Sequence, residues 1–236
     1  MPPVTPLLRP GQFFTERDPE GGHALILILL HLISVPLAVW GVGQVLKARV
    51  DGTVMVDNPN RPSEQFCEHA AASMDVGCDA PAQIERNIDA ILADAIGQLI
   101  GPALLGVGIV LVLVGGALHV GAWAFNGENG VGTSFAVALW GLLPSLVGLV
   151  VGVAVLFVVL DPLTVTTSDD PAVMAEWIQA EMAPLLTWQP LFTGATTLWS
   201  AIIWRSGLVH SQGLDNGSAT LTAGTLAVLF WIVSLV

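Results

Sequence analysis

The apolar positions of this chain gather into five long runs. Residues 24–46, 95–127, 129–160, 182–204 and 216–236 each lack Asp, Glu, Lys and Arg. A hydrocarbon layer of about 30 Å is crossed by roughly 20 apolar residues in a helix, and lipid offers no partner for exposed backbone amides. Five transmembrane helices are therefore expected. The second and third runs are too long for one crossing, which predicts spans near 24–46, 97–122, 133–156, 184–204 and 216–236. The expected fold class is all-α: a polytopic membrane protein with a bundle of five transmembrane helices. Residues 1–23 form an N-terminal arm, residues 24–236 the five-span domain, and residues 47–95 and 161–183 its outer loops, the first long and partly ordered.

The polar stretches carry weaker patterns. "TVMV" at 53–56 alternates and runs into turn residues, which predicts a short strand. After Ala80-Pro81, Ile84, Ile88, Ile91 and Leu92 recur at helical spacing with Asp89 and Asp94 between them. That spacing predicts an amphipathic helix feeding the second span. Residues 171–179 predict a short surface helix presenting Trp177. The arm "LLRPGQFFTERDPEGG" at 7–22 has Pro10 placed for a first helical turn and two phenylalanines that suit the headgroup layer. Asp18-Pro19 and Gly21-Gly22 then break the chain. A membrane-surface arm is expected, with a disordered leader as the alternative. The first apolar run is longer than the 7–15-residue core of a cleaved signal and follows more acid than base, so it reads as a retained span.

Composition agrees with these spans. The chain is 53% apolar and 11% charged, against roughly 45–50% and about 25% in soluble domains. Its net charge of −12 lies mostly in the outer loops. Such a surface repels nucleic acid and anionic lipid, and resembles the acidic surfaces of salt-adapted proteins, which suggests a halophilic prokaryote.

Five spans put the termini on opposite sides. Arg9, Arg17 and Arg205 then fall with the N-terminus and Lys47, Arg49, Arg61 and Arg86 opposite, a division too even for the positive-inside rule. The only two cysteines, Cys67 and Cys78, share the long outer loop. A disulfide in an oxidising space is expected, with two free thiols as the alternative. Glu68 and His69 lie beside Cys67, but neither a CxxC nor a second histidine completes a zinc pattern. The cysteines favour a cell-membrane protein with its N-terminus cytoplasmic and its C-terminus outside.

Chemistry within the spans is sparse. No charged residue lies mid-span, which disfavours a pump or proton-coupled carrier. His31 and His119 are the candidate buried polar groups, each more simply explained by a hydrogen bond to a carbonyl or hydroxyl than by ligation. No metal site, cofactor, phosphate-binding loop or catalytic motif is indicated, and the chain is not expected to be an enzyme. Gly148 and Gly152 have the small-xxx-small spacing of close helix packing; Pro36, Pro102 and Pro144 can bend their helices. Trp40, Trp123, Trp188 and Trp204, with Phe13 and Phe14, are candidate interface anchors.

Several stretches together resemble the prokaryotic branch of the Yip (Ypt-interacting protein) domain family. They are the arm at 7–22, the run "GALHVGAWAFNGENGVGTSFAVALWGLLPSLVGLVVG" at 116–152, and the end "LWSAIIWRSGLVHSQGLDNGSATLTAGTLAVLF" at 198–230. The five-span plan is the fourth point of likeness. Gly130-Val131-Gly132-Thr133-Ser134-Phe135 and Pro144 fit the family's connection between spans two and three. Gly207-Leu208 and Gly213-Leu214 fit the connection before its last span. The Asp-Leu-Tyr-Gly-Pro signature of eukaryotic members has no counterpart, and tyrosine is absent. The resemblance implies a five-helix, non-enzymatic membrane protein; eukaryotic relatives are adaptors that associate with prenylated small GTPases and with each other, with a cytosolic N-terminus.

Two functions follow as expectations. The first is an adaptor or structural component that binds membrane lipids and other membrane proteins or itself, or shapes the bilayer, without nucleic acid. The second is a small-solute transporter or channel subunit acting as a homo-oligomer. It would need a polar stripe, of which Ser34, Gln44, Ser145, Thr193, Thr196, Thr197, Ser200, Thr220 and Thr222 offer pieces.

Overall fold

A computed structural model describes residues 5–17, 23–69, 77–166 and 171–235. Helices dominate it: α1 (Pro10–Glu16), α2 (His23–Arg49), α3 (Glu64–His69), α4 (Ile88–Ala124), α5 (Val131–Gly141), α6 (Leu143–Val159), α7 (Pro171–Gln212) and α8 (Asn216–Val233). Three short strands, β1 (Val50–Asp57), β2 (Gln83–Asn87) and β3 (Leu163–Val165), join them. Four helical segments are long and apolar enough to cross a membrane: α2, α4, α5 with α6 as one unit from Val131 to Val159, and α8. The expected fourth span, residues 184–204, lies inside the 42-residue α7.

Each helix follows from its sequence. α2 ends with Lys47 and Arg49 in its last turn, where positive charge suits the negative end of the helix dipole. Pro36 and Pro102 lie inside the continuous helices α2 and α4. Pro144 instead marks a break. It has no N–H to donate and its ring crowds the preceding turn, so the third span divides at Leu142 into α5 and α6.

At about 1.5 Å per residue, the 37 residues of α4 reach about 56 Å, well beyond the hydrocarbon layer. The excess belongs to its N-terminal turns. Asn87 caps the helix by accepting from the Asp89 amide at 2.7 Å, and Ile88, Ile91 and Leu92 pack beneath the strands. The amphipathic helix expected from Ala80-Pro81 onward thus starts later, at Ile88. Ile84 lies in β2 instead, where β1 is available to pair with it: Val56 stands opposite Ile84 in the antiparallel β1–β2 ladder.

β1 covers the expected strand and extends it. It lies between β2 and β3, pairing with β3 in parallel. At Gly52, φ is +130°, and a Cβ there would strike the Val165 carbonyl, so glycine is required where β3 crosses. A disulfide joins Cys67 to Cys78 with their Cα atoms 5.7 Å apart, tying α3 to the chain just before β2. The surface helix expected at 171–179 is the first part of α7, and Trp177 packs against the clusters under the sheet rather than standing free.

The sheet and disulfide occupy one end of the bundle. The principal hydrophobic cluster occupies the other, where α1, the α4–α5 connection and the α7–α8 connection meet. Between them, the outward faces of α2, α4, α6 and α8 carry exposed Leu, Ile, Val and Phe, the surface expected against lipid tails.

Candidate functional site

The arm is where the structure departs furthest from expectation. α1 is not spread on an outer surface. Phe13 and Phe14 are only 3% and 4% exposed and belong to the principal cluster. Neighbouring residues on a helix point about 100° apart, so burying both requires walls on two sides. Trp140 of α5 meets Phe13 edge-on at 4.7 Å between ring centroids. From α7, the Trp199 indole N–H donates to the Leu7 carbonyl at 2.9 Å, and Thr15 Oγ1 lies 3.3 Å from His210 Nδ1. The phenylalanines were expected as headgroup anchors; the wall of α5 and α7 aromatics takes them inward instead.

Beside the arm, a polar clasp closes the same end. Gln212, the last residue of α7, is completely buried. Its side-chain amide donates to Ser134 Oγ at 2.8 Å and to the Gly130 carbonyl at 3.4 Å, and its oxygen accepts from the Asn129 amide at 3.2 Å. The Gln212 carbonyl accepts from the Glu128 amide at 3.0 Å, and the Asn129 side chain donates to the Ser211 carbonyl. His119 Nδ1 of α4 joins from 3.4 Å at Ser134 Oγ. A buried amide is costly without partners. Here they are supplied across two connections distant in sequence, so the network fixes how α4, α5 and α7 meet.

The following connection is equally defined. Gly213 takes φ +71°, and the Leu214 amide returns to the Leu208 carbonyl at 3.2 Å. Asp215 caps α8 by accepting from the Gly217 amide at 2.7 Å, the Ser218 amide at 3.2 Å and the Ser218 hydroxyl at 2.6 Å. Arg205 links α7 to α8 through Thr220 Oγ1 at 2.9 Å and Asn216 Oδ1 at 2.7 Å.

The Ser218 hydroxyl, followed by the Ser218 and Gly217 amides, holds the Asp215 carboxyl below its ordinary value. A carboxyl depressed on folding contributes stability above its unfolded pKa and loses it as pH falls through the folded value. The melting temperature in detergent is therefore expected to fall at acid pH more steeply for the wild type than for Asp215→Asn, which keeps a capping oxygen but does not titrate. Parallel melting curves across that pH range would rule this out.

Other expected site residues are dispersed. His31 is buried, its Nδ1 2.8 Å from the Leu27 carbonyl one turn back, while its Nε2 has no partner among the described residues. The two histidines have separate partners and form no joint site. Trp40, Trp123 and Trp188 are exposed, whereas Trp204 is 1% exposed and sits in the core, because Gly141 leaves room for its ring. Gly148 faces Phe192 and Thr196 of α7; a Cβ at Gly152 would meet nothing within 4 Å.

The hydroxyls divide between neighbours. Ser145, Thr193, Thr196 and Thr197 line a cavity of about 430 Å³ between α2, α6 and α7, although the Thr196 hydroxyl donates to its own helix at Phe192 and Thr193. Thr220 of α8 meets Arg205, and Thr222 faces Gly121 of α4. No group of three His, Cys, Asp or Glu able to hold a metal occurs among the described residues.

Gln212, Asn129 and Gly141 are not singled out by the sequence, and Ser134 enters there only as a member of the Gly130–Phe135 motif. The available signal was a glutamine ending an apolar run beside Gly213. Only the fold shows that α5 stands close enough to receive it.

Across the whole plan, a model of the Yip1 domain matches residues 5–236, from the docked arm to the end of α8. The chain belongs to the Yip1 domain family. It is a multi-pass integral membrane protein. No curated protein and no solved structure matches it. The match covers the arm as well as the spans, so the Yip1 domain here includes the segment seated against Trp140 and Trp199.

Proposed function

We propose that this Yip1-domain protein is a non-enzymatic adaptor with five spans, binding other membrane proteins through the end where its arm is seated. The buried Phe13–Phe14 pair carries the reading. With the clasp around Gln212, it makes a surface whose parts are locked together before any partner arrives, and preformed surfaces lose little freedom on binding. The fourth of these spans is α7, which runs from Trp177 beneath the sheet to Gln212 beside Asn129. The disulfide lies at the sheet end, which supports a cell-membrane orientation with the arm cytoplasmic and the sheet outside.

Cross-linking in intact cell membranes, followed by mass spectrometry of co-purified chains, tests the adaptor role. A reproducible partner linked through the arm or the 125–130 and 213–215 connections is expected. Recovery of self-linked copies alone would favour the homo-oligomeric transporter instead, for which the Ser145, Thr193, Thr196 and Thr197 cavity is the supporting observation; solute flux in vesicles would then decide. Orientation has its own readout. A membrane-impermeant thiol reagent applied to intact cells should label Cys67 and Cys78 only after reduction, and failure to label them then would invert the assignment.

A further inference from the structure

α2 and α6 run side by side and leave an apolar groove of about 550 Å³ on their outer face. Its α2 wall extends from Ser34 to Val45 and its α6 wall from Leu146 to Val158. Eleven steps along α2 measure about 17 Å at the helical rise, close to one leaflet, or about half of a 30 Å hydrocarbon layer. A crossing helix would need the full thickness, whereas one acyl chain needs a leaflet.

The groove also has a charged end. Arg49 lies one helical turn beyond Val45, at the junction of α2 with β1. Its guanidinium rests 4.7 Å from the centre of the Phe157 ring, which lines the groove, and donates to the Phe157 carbonyl at 2.6 Å. That bond uses one of five N–H donors. Among the described residues the buried Arg49 Nε has no partner, and no carboxylate forms an ion pair with the side chain.

We propose that the α2–α6 groove holds one acyl chain of a phospholipid whose phosphate is bound by Arg49. A planar guanidinium suits phosphate oxygens, and its position where the membrane helix meets the sheet matches headgroup depth. The net charge of −12 opposes an anionic lipid at long range. Salt screens that repulsion beyond about 8–10 Å, leaving a contact at Arg49 to decide. No expectation from sequence covered this site, because Arg49 reads there as an ordinary basic flank of a span.

The test uses the full chain, delipidated in detergent and then offered phosphatidylglycerol or a galactosyl diacylglycerol with identical oleoyl chains, with retained lipid counted by native mass spectrometry. Wild-type protein is expected to retain the phospholipid about fivefold better, a ratio typical for one basic residue near a headgroup. Arg49→Gln should remove that preference while still binding chains. Ala154→Trp, which fills the groove and leaves Arg49 in place, should lose both lipids, so the proposal remains testable if Arg49→Gln does not fold. Equal retention by wild type, an unchanged preference in Arg49→Gln, or undiminished lipid on Ala154→Trp would each overturn it. So would disulfide formation between copies of Val150→Cys in liposomes at the expense of bound lipid, which would assign the groove to a second copy.

Discussion

Gly141→Ala is expected to destabilise the bundle by about 3 kcal/mol, the upper part of the usual range for overpacking. A Cβ at Gly141 would overlap the five-membered ring of Trp204. That indole is 1% exposed, with buried Ile203 and Leu208 nearby on its own helix, so it has no solvent side into which to retreat. The strain must separate α5 from α7, and the Gln212–Ser134 bond would be strained with it. Gly43→Ala offers a graded comparison. Its new carbon would lie 2.8 Å from Ile96 Cγ1, part of a half-buried side chain that can change rotamer, so a smaller loss is expected. Gly152→Ala should not destabilise and should gain about 0.4–1 kcal/mol, because nothing lies within reach of its Cβ and alanine loses less backbone freedom on folding. Thermal melts of the purified variants in detergent measure all three; equal shifts at Gly141 and Gly152 would refute the ranking.

These glycines also mark the limit of reading the sequence. The "GLVVG" spacing singled out Gly148 and Gly152, yet only Gly148 has a close neighbour. Among the helical glycines, those under greatest constraint lie elsewhere, at Gly141 against Trp204, Gly121 against Thr222 and Gly207 against Val137. A spacing rule describes one helix alone, whereas close approach depends on what the partner helix presents. The long apolar runs were legible because hydrocarbon thickness fixes their length regardless of neighbours. The cysteine pair was legible because few alternatives exist for two cysteines in one loop, and the disulfide has formed. β2 was missed because Gln83–Asn87 is exposed and polar on alternate positions and gains strand form only through β1. The burial of Phe13 and Phe14 was hidden for a similar reason: their walls, Trp140 and Trp199, lie far along the chain.

Replacing Phe13 and Phe14 together with alanine should release the arm without unfolding the spans. Phe→Ala in a packed core costs about 3–5 kcal/mol per site. Even part of that for the pair exceeds what a seven-residue helix can recover alone, since isolated helices this short are marginal in water. Among the described residues the remaining ties are the packing of Leu7 on the cluster, the bond from Trp199 to the Leu7 carbonyl, and Thr15 beside His210. When opening and closing outpace cleavage, proteolysis follows the population of the open form. A loss of about 3 kcal/mol in docking should then raise cleavage after Glu16 by a glutamate-specific protease about a hundredfold, since each 1.4 kcal/mol is a factor of ten. Trp199→Phe, which removes the indole donor and part of a ring packed against the cluster, should raise it at least about fivefold, since one hydrogen bond alone contributes roughly 1 kcal/mol. The melting temperature of the remaining bundle separates two meanings of the arm. If cleavage rises while the spans keep their melting temperature, the arm is a docked module, and partner capture should fall with it because the adaptor surface includes it. If the bundle melts together with the arm, Phe13 and Phe14 are part of the foundation of the fold, and the binding surface must be sought in the connections beside them.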